Sequence, residues 1–282
     1  MPIAPWDERV TVDPSAPLGV FDSGLGGLTV VRALRRALPA ENIVYLGDTA
    51  RVPYGTKGAA TVVKYALGCA RHLVARGVKT IVIACNTVSA VAPERLRVEL
   101  DIPVLGVIEP GARAAVAATR SGRIGVLATA GTIASGAYPR AVAQESTRAE
   151  VVGQAAPLLV PLAEEGWTEG DVPRLVVRRY IEPLALAGVD VVLLGCTHYP
   201  LLRDVIESEA RMRIDPEVAI VDSASAMAAD VRDFLVTRGI AHARNPGDAF
   251  VRLLVTDLPR TFRETAARFL GDEVGEVEQV DL

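Results

Sequence analysis

The chain has 282 residues, half of them hydrophobic and 23% charged, with a net charge of −4. This composition supplies a sizeable core, which excludes intrinsic disorder as the main state, and the acidic balance leaves no basic footprint for direct nucleic-acid binding. No apolar run is long enough for a bilayer, the first residues lack a secretory pattern, and three cysteines make no disulfide framework, so a cytoplasmic protein with free thiols and no membrane association is expected.

Residues 1–15, with Pro2, Pro5 and Pro14, read as a loose tail. Short runs of Val, Ile and Leu then predict strands over 18–21, 43–46, 80–84, 104–107, 124–128, 189–194 and 219–221. These runs do not alternate polar with apolar, as strands covered on both faces of a parallel sheet do not. Amphipathic stretches between them predict helices, among them 29–37, 60–76, 112–119, 174–184 and 223–238. The alternation defines an α/β fold with mostly parallel sheets.

Nearly every predicted strand runs into a polar turn: Asp22-Ser23-Gly24, Gly47-Asp48-Thr49, Cys85-Asn86-Thr87, Glu109-Pro110, Thr129-Ala130-Gly131-Thr132 and Cys196-Thr197-His198. In open α/β sheets, ligands bind beyond the carboxyl ends of the strands. The stretch ending in Cys85-Asn86-Thr87 also resembles the one ending in Cys196-Thr197-His198. They lie roughly 110 residues apart, the length of one small domain, so the chain reads as two halves.

Cys85 and Cys196 occupy equivalent strand ends, each leading into a helix N-terminus where backbone N–H groups favour a thiolate. Cys69, inside a predicted helix and without polar company, reads as core. A redox pair lacks a C-x-x-C motif. A zinc site built from Cys85, Cys196, His198 and Asp22 lacks metal-ligand spacing apart from Cys196-x-His198, so no metal is expected. Acid–base chemistry remains: two thiols on opposite sides of one carbon, roughly 7 Å apart, removing a proton on one face and returning it on the other. His198 is placed to assist Cys196, and Asp22 to assist Cys85.

The glycine-rich 22–27 turn is not a dinucleotide fingerprint, and Gly55-Thr56-Lys57-Gly58 is not a Walker A loop. Ser23, Gly55, Asn86, Thr87, Thr132 and Thr197 offer neutral hydrogen bonds suited to carboxylates. Arg51 is the one arginine in these motifs. A small polar ligand is expected rather than a polyphosphate. Lys57, Lys64 and Lys79 are the only lysines, and none lies in a cofactor motif suited to a pyridoxal Schiff base.

Asp22-Ser23-Gly24-Leu25-Gly26-Gly27, Pro53-Tyr54-Gly55, Cys85-Asn86-Thr87, Glu109-Pro110 and Cys196-Thr197-His198-Tyr199-Pro200 occur in the order found in glutamate racemases, and Asp48 and 128–132 also fit. The chain resembles that family from residue 18 to about 255. The paired cysteine motifs are shared with the wider aspartate/glutamate racemase superfamily, and the full 22–27 and 196–200 forms point to the glutamate branch. The resemblance implies two similar flavodoxin-like α/β domains, 16–108 plus 222–282 and 109–221, with the active site in the cleft between them. It implies cofactor-independent interconversion of L- and D-glutamate for peptidoglycan. Cys85 and Cys196 would be the two bases, Asp22 assisting Cys85, and His198 with Glu109 assisting Cys196. Substrate contacts would come from Asp22, Ser23, Pro53, Tyr54, Gly55, Asn86, Thr87, Thr129, Thr132, Thr197 and His198. A homodimer is expected, and some members of the family bind DNA gyrase. Two alternatives stay open: another racemase of the superfamily acting on aspartate, and a regulatory protein whose main task is to hold a partner.

Overall fold

The computed structural model describes residues 12–243, 249–258, 260 and 262–282. Residues 1–11 of the expected tail lie outside the described residues. Residues 13–15 form a turn in which the Ser15 backbone N–H donates to Asp13 Oδ1 at 2.8 Å. The buried Lys79 ammonium donates to the Pro14 carbonyl at 2.8 Å, which fastens this turn to the first sheet.

Among the described residues, ten strands form two sheets. The first has six: β1 (Leu18–Asp22), β2 (Ile43–Gly47), β3 (Thr80–Ile83), β4 (Val104–Gly106), β9 (Val251–Val255) and β10 (Val277–Gln279). Their order is β10-β9-β2-β1-β3-β4, and every pairing is parallel. The second has β5 (Arg123–Ala128), β6 (Glu150–Ala155), β7 (Val191–Gly195) and β8 (Ala219–Asp222), in the order β6-β5-β7-β8, again all parallel. Parallel strands need crossovers, and helices supply them. In the first half these are α1 (Leu28–Ala37), α2 (Ala59–Ala75), α3 (Asn86–Ser89) and α4 (Pro93–Glu99). After β4 come α5 (Ile108–Ala118), α6 (Ala130–Ser135), α7 (Ala137–Glu145), α8 (Leu159–Glu165), α9 (Asp171–Leu186) and α10 (Arg203–Arg213). The chain then passes through α11 (Ser223–Thr237) and α12 (Phe262–Leu270). Among the described residues, no helix is long and apolar enough to cross a membrane.

Central strands are buried along their whole length, as the unbroken apolar runs require; β1, β2, β3 and β7 expose no residue. Three strands escape the sequence reading. β6 is a half-covered edge carrying Gly153 and Gln154, and β10 is a three-residue edge. β9 sits between β10 and β2, but Arg252 interrupts its apolar run. The turn expected at Glu109-Pro110 is instead the first turn of α5, four residues earlier than predicted. Proline is tolerated there because that turn needs no backbone donor.

One apolar cluster runs through both halves. It joins Leu28, Leu34 and Tyr45 on the first-sheet side to Leu127, Val192 and Leu194 on the second, with Met227 and Val231 of α11 among them. Because all strands in each sheet are parallel, their carboxyl ends lie together. Asp22, Cys85, Thr129 and Cys196 all stand at or just past such ends.

Candidate active site

Cys85 follows β3 and is the N-cap of α3; its thiol lies 3.5 Å from the Ser23 hydroxyl. The expected pull toward a thiolate does not prevail in this cleft. Burial pushes Cys85 up to about 12, the Asp22 carboxylate adds to the rise, and Ser23 only partly offsets it. A four-residue helix brings a weak dipole, whereas desolvation acts on the whole charge. At neutral pH Cys85 is therefore a thiol. Asp22 is itself buried, and burial raises its carboxyl above the usual range, against the pull of His198 and of backbone N–H groups. One oxygen accepts from the Gly24 N–H at 3.0 Å, while Oδ1 is buried without a partner among the described residues.

Cys196 follows β7 but leads into a short 3-10 turn, Tyr199–Leu202, before α10 begins. Its sulfur lies 3.8 Å from Nδ1 of His198. Nε2 of the same ring lies 2.9 Å from Oε1 of Glu164, at the end of α8. Burial alone would lower the imidazole. The hydrogen bonds to Cys196 and Glu164 together outweigh it and push His198 up to about 10. The protonated ring donates at both nitrogens, one toward the thiol and one to the carboxylate.

The 196–198 turn is seated on the glycine-rich loop of the other half. A Cβ on Gly26 would collide with the Thr197 hydroxyl and the His198 ring, so only glycine permits this approach. The Thr29 hydroxyl, on the first turn of α1, lies 2.9 Å from the Thr197 carbonyl. Across the cleft, the Thr87 hydroxyl meets those of Thr129 at 3.0 Å and Thr132 at 3.3 Å. Tyr138 donates to Asn86 Oδ1 at 2.6 Å, and Asn86 donates in turn to Ser223 at 3.3 Å. Tyr54 is pinned by its hydroxyl to the fully buried Asp48, which also accepts from Thr256 at 2.8 Å.

These groups surround a cavity of about 220 Å³. Cys85 and Cys196 both line it, as do Ser23, Pro53, Tyr54, Gly55, Asn86, Thr87, Thr129, Thr197 and His198. Asp22 and Thr132 stand one step behind the wall: Asp22 is buried beneath the 22–27 loop, and Thr132 supports Thr87 and Thr129. Glu109 does not line this cavity. As part of the first turn of α5, it faces a separate groove with Glu94, Arg97 and Arg140, and the carboxylate beside His198 is Glu164. Sequence reasoning missed Glu164 because Ala163-Glu164-Glu165-Gly166 reads as an exposed helix end, and 34 residues separate it from His198. Val52, Pro157, Val160 and Pro161, which make much of the wall apolar, were also not singled out. Among the described residues, no three His, Cys, Asp or Glu side chains are grouped to hold a metal ion.

In this α/β protein two parallel sheets each deliver one thiol to the same cavity, an arrangement that suits paired acid–base chemistry. A profile of Asp/Glu/Hydantoin racemases matches residues 18–231. A glutamate racemase from Geobacter metallireducens is 50% identical over 270 residues, covering 95% of this chain and 98% of that protein. Among solved structures, a glutamate racemase isoform from Bacillus anthracis superposes with a TM-score of 0.89 at 37% identity, covering 95% of this chain and 98% of its own. A glutamate racemase from Francisella tularensis, in complex with D-glutamate, superposes with a TM-score of 0.86 at 34% identity and the same coverage. The chain belongs to the Asp/Glu/Hydantoin racemase family.

Proposed function

We propose that the protein interconverts L- and D-glutamate, with Cys85 and Cys196 as the opposed acid and base. The observation that carries this reading is that both thiols, one from each sheet, line a single small cavity. The substrate follows from relatives named glutamate racemase at up to 50% identity over nearly the whole chain. The wall is rich in neutral hydroxyl and amide groups, which suit carboxylates without fixing a strong counter-charge.

In each direction a thiolate removes the α-proton, and charge develops on the α-carbon and its carboxylate. Donors already in place, among them Ser23, Asn86, Thr87 and Thr197, stabilise that charge in a cavity walled by Val52, Pro157, Val160 and Pro161. The opposite thiol then delivers a proton to the other face. The two sides are not alike: burial holds Cys85 as a thiol, and the Cys196 sulfur lies beside the protonated His198 ring. One thiol abstracts and the other donates, and one turnover exchanges the roles. Glu164 and His198 serve the Cys196 side, and Asp22 serves the Cys85 side.

The reading extends to a cytoplasmic enzyme, active as a homodimer, that supplies D-glutamate for peptidoglycan, as the family resemblance implies. It also divides the chain into a first domain of 16–108 plus 222–282 and a second of 109–221; the two separate sheets support this division.

The test is incubation of the purified protein with D-glutamate in D₂O containing EDTA and no added cofactor. Loss of optical signal together with deuterium at the α-carbon is expected, and Cys85→Ser and Cys196→Ser should each abolish racemisation. Full activity in either variant overturns the two-thiol mechanism, and a preference for aspartate overturns the substrate.

A further inference from the structure

Asn86 follows Cys85 directly, opens α3 and lines the cavity. Its buried amide belongs to a row of hydrogen bonds that runs from α7 to β7. The Tyr138 hydroxyl donates to Asn86 Oδ1 at 2.6 Å. Asn86 Nδ2 donates to the Ser223 hydroxyl at 3.3 Å. Ser223, the first residue of α11, donates in turn to the Leu194 carbonyl at 3.2 Å. Asn86 stands on the side of the first sheet, Tyr138 and Leu194 on the side of the second, so the row spans both halves.

A carboxamide turns over with little change in shape, exchanging its oxygen for its nitrogen. The far end of the row removes that freedom from Asn86. The Leu194 carbonyl can only accept. The Ser223 hydroxyl has a single hydrogen, which goes to that carbonyl, so toward Asn86 it can only accept. The Asn86 atom facing Ser223 must therefore carry hydrogen, and Oδ1 is left to face Tyr138. Burial keeps the Tyr138 phenol protonated, so it is available to donate. The ring has little room to move, since a Cβ on Gly195 would meet its Cε2 at 2.9 Å. Nδ2 keeps a second N–H, for which no protein atom among the described residues serves as acceptor. Among the described residues, the cavity lining also contains no arginine or lysine. Apart from His198, recognition of an acid there falls to oriented neutral donors, and an ionised carboxylate can meet the amide only through N–H.

We propose that Ser223 and Tyr138 are positioning residues that lock the Asn86 amide with an N–H toward the cavity, so that the site selects a substrate carboxylate over the corresponding carboxamide. The inference rests on the donor role given to Asn86 in the proposed function. Turned over, the amide would bring its oxygen toward the substrate carboxylate and its nitrogen toward the Tyr138 hydroxyl. Ser223 would then have to abandon Leu194 in order to donate to Oδ1, and a buried carbonyl would lose its partner.

The test is calorimetric titration of the full chain with D-glutamate, D-glutamine and D-isoglutamine. Glutamine carries a carboxamide in place of the side-chain carboxylate, and isoglutamine in place of the α-carboxylate. The parent should bind glutamate more tightly than either amide. Ser223→Ala removes the fixed acceptor, and the amide can then lie either way against Tyr138, which both donates and accepts. The preference over one of the two amides should fall about fivefold or more, the gap between a hydrogen bond to a charged group and one to a neutral group. Tyr138→Phe keeps the ring, unlocks the other end of the amide and should relax the preference over the same amide. The preference over the second amide should persist, which a general loosening of the cavity would not allow. Ser225→Ala, on the exposed side of α11, should bind like the parent. The proposal is overturned if the parent binds both amides as tightly as glutamate. It is also overturned if a folded Ser223→Ala or Tyr138→Phe variant keeps both preferences, or if both preferences fall together. Binding is read rather than turnover, so a protein that passes this test yet does not racemise D-glutamate contradicts the proposed activity alone.

Discussion

His198 is set by its two partners rather than by its burial. In apolar surroundings an imidazole loses its proton easily, yet here Cys196 on one nitrogen and Glu164 on the other raise it from 6.5 to about 10. A raised histidine contributes stability that is fully present below about pH 6.5 and is lost as pH rises through about 10. In the proposed mechanism the same window governs the charge on the ring beside Cys196. Glu164→Gln keeps a carbonyl oxygen for Nε2 but removes the charge. The alkaline limb of kcat/KM should therefore move to lower pH, toward the ordinary histidine range, while the acid side changes little. The stabilities of variant and parent, followed by urea unfolding against pH, should converge above about pH 10. An alkaline limb that stays in place would show that Glu164 does not hold the proton on His198.

At the scale of elements, the site depends on two loops fitting without side chains between them. Gly26 presses on Thr197 and His198, and Gly131 approaches the Gly55 carbonyl. Gly26→Ala should cost about 1–3 kcal/mol through overpacking and should lower kcat as the 196–198 turn is displaced. Gly68 supplies the contrast. It lies inside α2 with nothing within 4 Å of an added Cβ, so Gly68→Ala should stabilise by about 0.4–1 kcal/mol and leave kcat unchanged. Thermal unfolding and initial rates on the pair separate a functional glycine from an incidental one. The same elements show what the sequence discloses. Buried central strands announce themselves as apolar runs, and both cysteines stand where such runs end. Edge strands β6 and β10 do not, because one face or more is wet and their composition is mixed. Glu164 is invisible for another reason: a carboxylate at a helix end looks the same whether it meets water or a histidine from a distant strand. Glu109 misleads in the opposite sense, since a strand-end position in the sequence becomes a helix turn facing another groove.

For the whole molecule, a buried charge pair ties the starts of two strands of the first sheet together at the end opposite the site. Lys79, which precedes β3, lies 2.6 Å from Glu41, which precedes β2, and both side chains are fully buried. Lys79 also donates to the Pro14 and Ile240 carbonyls, and Glu41 accepts the backbone N–H of His242 at 2.7 Å. One ammonium thus gathers the segment before β1, the start of β3 and the chain leaving α11. These strands carry Asp22 and Cys85 at their other ends, so a slip at this end would also displace the end beside the cavity. A buried pair contributes little net stability against apolar replacements, but a partner left alone is costly. Lys79→Met strands the Glu41 carboxylate and should cost about 3–5 kcal/mol in urea unfolding. Adding Glu41→Leu removes the stranded charge and should recover much of that loss, while leaving the His242 N–H without its acceptor. If the double variant is instead as unstable as the single, the carbonyl contacts of Lys79 hold this end of the sheet and the charge pairing does not.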